Sequence, residues 1–329
     1  MVRAHICNHI MMEFIKEKLG SLKVFLSGLS LKTVGGIATA ILVVLLLYYP
    51  VGMIIIHNVD DDTTLTAEIQ PGQSRTVAIA QALVEREVRT HRWTAMDPFF
   101  LPGSALDNMP NFQQGIMSAL SRFAIEMSDQ IGRVRGSSQV DNDLDKAVGF
   151  LKYKGDVWVY DLSESWLPQR SSAQQYGLGA DAFGRYNQRL GDGGAVFERR
   201  ADNLLTTLDR FSADLGSASA VLDGAISNLS VLSLDTDDIF YRTKGRIYAY
   251  YLLMREMRHD FAGVIDEKKL GPAWDLALIS LRQAAQMDPF VVLNSNPDSF
   301  IGPSHLASQG FYLLRARTQI REISNVLYK

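Results

Sequence analysis

Phe197–Leu229 reads FERRADNLLTTLDRFSADLGSASAVLDGAISNL, and its apolar residues step by four and three through Phe197, Ala201, Leu204, Leu208, Phe211, Leu215, Ala218, Leu222, Ala225 and Leu229. At 3.6 residues per turn that spacing puts them on one helical face, where each side chain seats between residues of a neighbouring helix. The predicted element is a long helix whose packing seam is Leu204, Leu208, Phe211, Leu215, Leu222 and Leu229. Gly216, Ala220 and Gly224 form a second ridge, where small residues lower helix propensity and admit a close neighbouring backbone. A coiled-coil dimer and an intramolecular bundle both use such a seam. Flanking charge pairs are sparse beyond Asp214, which favours the bundle.

On the C-terminal side, Asp235-Thr236-Asp237-Asp238 supplies a cap and an acidic first turn for a helix reaching about Ile265. From Ile247 to Met257 this helix is apolar on nearly every side, which predicts the central, most buried element. Gly271-Pro272 opens another helix, with Trp274, Leu278, Leu281 and Ala285 inward, and Ser304–Leu327 is the last. On the N-terminal side, Ser74 caps a helix from Arg75 to about His91, and Phe112 to Val134 shows a further clear helical period. A shorter helix is predicted over Asp141–Lys152, Asp181–Leu190 is weakly helical, and Gly191-Asp192-Gly193-Gly194 is a turn. DVWVYD, Asp156–Asp161, is the one strand signal; it pairs with part of the stretch before Ser74 or is not a strand, since a lone strand is unstable.

Thr33–Ile56 (TVGGIATAILVVLLLYYPVGMIII) carries no charge and is long enough to cross a hydrocarbon layer of about 30 Å as a helix. It exceeds the apolar core of a signal peptide and ends without a small-x-small cleavage pattern, so the expectation is an uncleaved span. Lys16, Lys18, Lys23 and Lys32 precede it and Arg75 is the first basic residue after it, which predicts a cytoplasmic N-terminus. The expected domains are a cytoplasmic tail 1–32, the transmembrane helix 33–56, a linker 57–73 and a periplasmic helical domain 74–329. Within the tail, Met12–Leu29 has the apolar face of a short amphipathic helix, and reads equally as a tail that supplies orienting charge. The fold class is mainly α: one transmembrane helix followed by an elongated helical bundle with heptad-patterned helices and at most a minor β element.

The chain has 33 Lys+Arg and 36 Asp+Glu, and 28 basic against 34 acidic residues remain beyond residue 57. That balance argues against nucleic acid as a partner. Cys7 is the sole cysteine and lies in the tail, so the exported part has neither disulfide nor thiol nucleophile. Asp141, Asp143 and Asp145 match the first ligand positions of an EF-hand loop, but Lys146 and Lys152 stand where Gly and Glu are needed. Asp235, Asp237 and Asp238 fail the same test and read as capping residues. His91, His259 and His305 have no metal-ligand spacing, and no P-loop, dinucleotide or Gly-x-Ser-x-Gly fingerprint is present. Glu164-Ser165 followed by Gly177-Leu178-Gly179 is a weak match to a lytic transglycosylase, interrupted by Pro168 and missing the final Gln.

Three irregular segments, Trp93–Asn111, Ser165–Gly177 and Asp288–Pro303, concentrate proline and aromatic residues. If they gather at one end of the bundle, Trp93, Phe99, Phe100, Met109, Trp166 and Phe290 line an apolar groove for a partner or extended ligand; otherwise they cap the core. Asp107-Asn108-Met109-Pro110-Asn111, Ala201-Asp202-Asn203-Leu204, Asp238-Ile239-Phe240-Tyr241 with Gly245, and the closing segment to His305 with its terminal helix resemble a bacterial family, domain of unknown function 2333. The resemblance implies an inner-membrane protein of Gram-negative bacteria with one N-terminal span and a largely helical periplasmic part, and it carries no catalytic residues or cofactor. The functional expectation is a non-enzymatic adaptor or scaffold of the cell envelope, bound to the lipid bilayer through residues 33–56. A protein partner is expected, with a homo-oligomer as one form of it. The alternatives are a periplasmic ligand-binding or sensing domain, and an envelope hydrolase using Glu164.

Overall fold

The computed structural model describes residues 31–132, 140–160, 166–227, 235–296 and 302–329. Among these residues are ten α-helices and no strand: α1 Leu31–Ile56, α2 Arg75–Glu85, α3 Asn108–Glu126, α4 Asn142–Leu151, α5 Ser172–Gly191, α6 Ala201–Ser227, α7 Asp235–Asp260, α8 Ala262–Glu267, α9 Gly271–Ala285 and α10 His305–Tyr328. The mainly α, helical-bundle class follows. The amphipathic stretch Met12–Leu29 lies outside the described residues, as do Val134, Asp161, Glu164 and Leu229.

The chain forms two units, one ending at Ile54 and one spanning Ile55–Lys329. The helical stretch Gly35–Ile56, most of it in the first unit, is unburied, and long and apolar enough to cross a membrane; the same features suit an anchor or a signal sequence. Pro50 lies inside α1.

In the second unit α7 is the hub, packed by α3, α2, α6, α9 and α10. Every residue from Ile247 to Met254 is buried, as its all-round apolarity requires. The α6 seam is satisfied within the chain: Leu204, Leu208, Phe211, Leu215 and Leu222 are fully buried, mainly against α10 and α7. The small-residue ridge behaves differently from its reading. A Cβ on Gly216 would meet the Arg317 guanidinium rather than a backbone, and one on Gly224 would meet open space. Long, flexible Arg317 fills the room that a close helix was expected to take.

α5 is the main departure from the sequence reading, since it starts at Ser172, inside a stretch read as irregular. Ser171 and Gln174 close a capping box there, and Gly177, Gly179 and Gly184 continue the helix despite their low propensity. Packing explains two of these glycines: a Cβ at 179 would be 2.8 Å from the Leu151 side chain, and one at 184 would be 3.0 Å from that of Gln81. The predicted strand is instead an extended segment tied down at two points. The Gln169 N–H donates to Val159 O at 2.8 Å and the Ser172 N–H to Val157 O at 2.9 Å. Its partner is therefore the entry to α5, not the stretch before Ser74.

That stretch, which reads as a linker, is a strap on the helical unit. Buried Arg86 pairs with Asp60 and Glu87 and donates to Asp60 O, Tyr248 Oη donates to Asp62 O, and Arg255 donates to Thr63 O and Leu65 O. The fully buried Lys244 ammonium lies 2.9 Å from Asp61 Oδ2. Polar residues that read as solvated are here the partners of cations rooted in α7 and just after α2.

At the start of α10, the His305 N–H donates to Leu293 O at 3.0 Å and His305 Nδ1 accepts from the Leu293 N–H at 2.9 Å. Nδ1 must be unprotonated for this, and burial lowers the His305 pKa below its ordinary 6.5. The unfolded chain therefore takes up the proton first, so the stabilisation is complete above the unfolded value and lost as pH falls through the folded one. His305→Asn is expected to flatten the fall in unfolding midpoint between about pH 6.5 and 5, which denaturation of both proteins at several pH values would measure.

Candidate functional site

The aromatic candidates separate by burial. Trp93 is fully buried; its Nε1–H donates to Gly155 O at 2.7 Å and its ring meets Tyr176 edge-on at 4.8 Å. Met109 is also fully buried, and its sulfur accepts from the Asn58 N–H. These two belong to the core, where a large apolar surface is most stabilising. Phe99 and Phe100 are exposed and stack edge-on with centroids 5.5 Å apart. Phe100 then meets Trp158 at 5.4 Å, and Trp158 meets Tyr160 at 5.7 Å.

These four rings line one wall system of a recess of about 670 Å³, with Met96, Pro98, Asp97, Lys154, Asp156 and Gln169 completing it. Trp158 and Tyr160 come from the segment that the entry to α5 ties down through Val157 O and Val159 O. The Phe99–Phe100 loop is held by Asp97, which pairs with Arg92 at 2.9 Å and whose carboxyl pKa is raised by burial against the pull of Arg92. Trp166 and Phe290 are both largely exposed and neither lines this recess. Of Trp93, Phe99, Phe100, Met109, Trp166 and Phe290, then, only Phe99 and Phe100 line the recess together, and Trp158 and Tyr160 of the expected strand complete its walls.

A second recess, of about 400 Å³, lies between α3, α4, α6 and α7. Its charged walls are Arg122, Lys152, Arg242 and Arg246 against one carboxylate, Asp214. α3 and α7 cross here with backbone nearly in contact. A Cβ on Gly115 would fall 2.1 Å from Arg242 O, and one on Gly245 would fall 2.0 Å from Phe112 O. Two glycines thus set the arginines of α7 against Gln114 and Ser118 of α3, to which Arg242 and Arg246 donate.

Where α3 and α7 begin, Asn111 Nδ2 donates to Asp238 Oδ1 at 2.6 Å, joining two of the stretches that carry the family resemblance. Asp107, Asp237 and Asp238 bring one oxygen each within 4.8 Å of the others, a spacing that a cation would fit. The pKa values of Asp237 and Asp238 are raised, by burial first and then by neighbouring carboxylates. Asp107 also does the capping work assigned to such residues, accepting from the Asn108 N–H. Asp141 caps α4, accepting from the Asp143 and Leu144 N–H groups, and pairs with Arg189, while Asp143 pairs with Arg185 and Arg189, so capping and ion pairs account for them. His91 lies between Asp60 and Glu87, and Gly177 and Gly179 lie within α5.

No curated protein and no solved structure matches this chain. A family model described as an uncharacterized protein conserved in bacteria, DUF2333, matches residues 77–234. That span includes Asp107–Asn111 and Ala201–Leu204; Asp238–Tyr241, Gly245 and the closing segment lie beyond it. Residues 77–234 are thus similar to the bacterial DUF2333 family, in agreement with the resemblance carried by Asp107–Asn111 and Ala201–Leu204.

Proposed function

We propose that the chain is a non-enzymatic adaptor of the bacterial cell envelope. Residues 33–56 hold it in the inner membrane with the N-terminus cytoplasmic, and the helical unit works in the periplasm. The aromatic recess is its contact for a protein partner. The observation that carries this reading is the run Phe99–Phe100–Trp158–Tyr160 around a recess, three of its rings exposed and Trp158 half-buried between them, because aromatic anchors in pockets dominate protein interfaces. The length of α1 and the lysine-rich tail before it support the anchoring and its orientation.

A photo-crosslinking residue at Phe99 in the full-length protein, expressed in its own membranes, is expected to give a discrete adduct. Trp158→Ala is expected to weaken that capture roughly thirtyfold, the effect of losing a hot spot of about 2 kcal/mol, and to leave the melting temperature nearly unchanged. The same adducts from a crosslinker at exposed Asp209, outside the recess, or none from Phe99, would contradict the reading. An adduct with a second copy of the chain would make the partner a homo-oligomer.

A further inference from the structure

We propose that the recess between α3 and α7 binds an anion of the phosphoryl class. This inference stands on residues other than those of the aromatic recess and does not depend on the adaptor reading. Its support begins with charge. Arg122, Lys152, Arg242 and Arg246 converge on one recess in a chain whose formal net charge is −3, so the cations are concentrated against the overall balance.

The single carboxylate present is already engaged, since Asp214 Oδ2 accepts from Tyr250 Oη at 2.9 Å. Arg246 Nε is buried without a hydrogen-bond partner among the described residues, 3.7 Å from Asp214 Oδ2 and beyond bonding distance. The other Arg246 nitrogens spend their bonds on neutral hydroxyls, Ser217 Oγ at 3.2 Å and Ser118 Oγ at 3.1 Å. Arg242 likewise donates to the neutral Gln114 Oε1 at 2.6 Å. Asp214 is thus the one carboxylate lining the recess, and it faces four cations, Arg122, Lys152, Arg242 and Arg246, so the recess carries more positive charge than its own walls balance.

The donor set favours phosphoryl oxygens. Planar guanidinium forks match a phosphate edge with two parallel hydrogen bonds, while Ser118, Ser121 and Tyr153 add neutral hydroxyl donors around the same volume. The volume of about 400 Å³ accommodates more than one phosphoryl group. Asp235 and Asp238 line the adjoining recess, which shares Arg242 and Arg246, and they limit how far an anion extends toward the start of α7. The ligand is thus a compact, multiply charged phosphoryl compound or a lipid headgroup that presents the same chemistry.

The test uses the full-length protein in neutral-lipid nanodiscs, titrated calorimetrically with pyrophosphate and with inorganic phosphate. Pyrophosphate is expected to bind more tightly, with an affinity that falls as salt rises. Arg246→Gln and Arg122→Gln are each expected to weaken it about tenfold, and Arg258→Gln, a surface cation outside the recess, to leave it unchanged. Should Arg246→Gln fail to fold, Arg122→Gln and Lys152→Gln carry the comparison, because both side chains sit at the edge of the helical packing. Competition by phosphatidylglycerol vesicles identifies the source as a lipid headgroup; absence of competition identifies a soluble anion. Absence of binding by both probes at millimolar concentration, or binding unaffected by Arg122→Gln and Lys152→Gln, overturns the proposal.

Discussion

Gly245→Ala is expected to destabilise the helical unit by about 3 kcal/mol or more, lowering its melting temperature by roughly 10 °C. The new Cβ would sit 2.0 Å from the Phe112 carbonyl oxygen and 2.9 Å from its carbon. Both atoms are backbone, so no rotamer change relieves the clash and α3 must move away from α7. Fully buried Phe112, Ile116, Ile247 and Tyr248 lie along those two helices, and moving the helices apart opens the packing among them. Helix propensity acts the other way, favouring Ala over Gly by up to about 1 kcal/mol, which is too little to reverse the sign. Gly115→Ala should behave alike, because its Cβ would meet Arg242 O at 2.1 Å. Gly149→Ala is the control: it lies inside α4 with nothing near its would-be Cβ, and is expected to be neutral or slightly stabilising. Thermal unfolding of the three variants measures the contrast, and near-equal midpoints would refute the close crossing of α3 and α7. The same variants bear on the cationic recess, since the crossing holds Arg242 and Arg246 against Gln114 and Ser118.

Local signals carried much of this fold. The Ser74 cap, the all-round apolarity of α7 and the seam residues Leu204, Leu208, Phe211, Leu215 and Leu222 of α6 are statements about residues within a few turns of one another, and these residues cap or are buried as their spacing implies. α5 was hidden because its glycines lower propensity where packing against Leu151 and Gln81 requires them. The strap was hidden because Asp60 and Asp61 look solvated until Arg86 and Lys244 are brought to them from distant parts of the chain. Composition cannot distinguish a buried aromatic in an irregular segment from an exposed one. Trp93 found Gly155 and Tyr176 and became core, whereas Phe99 and Phe100 met Trp158 at the surface. The cationic recess was least legible of all, since its four cations come from α3, from α7 and from the residue just after α4, and packing between distant parts of the chain unites them.

Asp260→Ala is the second large loss expected, about 3–5 kcal/mol by denaturant unfolding. Asp260 ends α7, yet its carboxylate caps α2: Oδ2 accepts from Ser74 Oγ at 2.7 Å, the Thr76 N–H at 2.9 Å and Thr76 Oγ1 at 2.7 Å, and Oδ1 accepts from the Arg75 N–H at 3.1 Å. Ser74 is meanwhile the N-cap, accepting from the Val77 N–H, and its backbone exchanges hydrogen bonds with the Asn187 amide of α5. One buried carboxylate therefore satisfies the unpaired donors of a helix N-terminus and complements its positive end, while fixing α2 against both α7 and α5. Alanine would leave Ser74 and Thr76, both fully buried, without an acceptor or access to water. Asp260→Asn keeps one carbonyl oxygen but turns an amide toward these donors, so about half the loss is expected. The strap enters the helical unit immediately before Ser74, which makes this knot the point where its mooring to Arg86 and Lys244 continues into α2. Hydrogen exchange should then show the Arg75 and Thr76 amides opening first in Asp260→Ala, ahead of global unfolding. A variant within 1 kcal/mol of the parent and with those amides still protected would mean that the cap is supplied elsewhere.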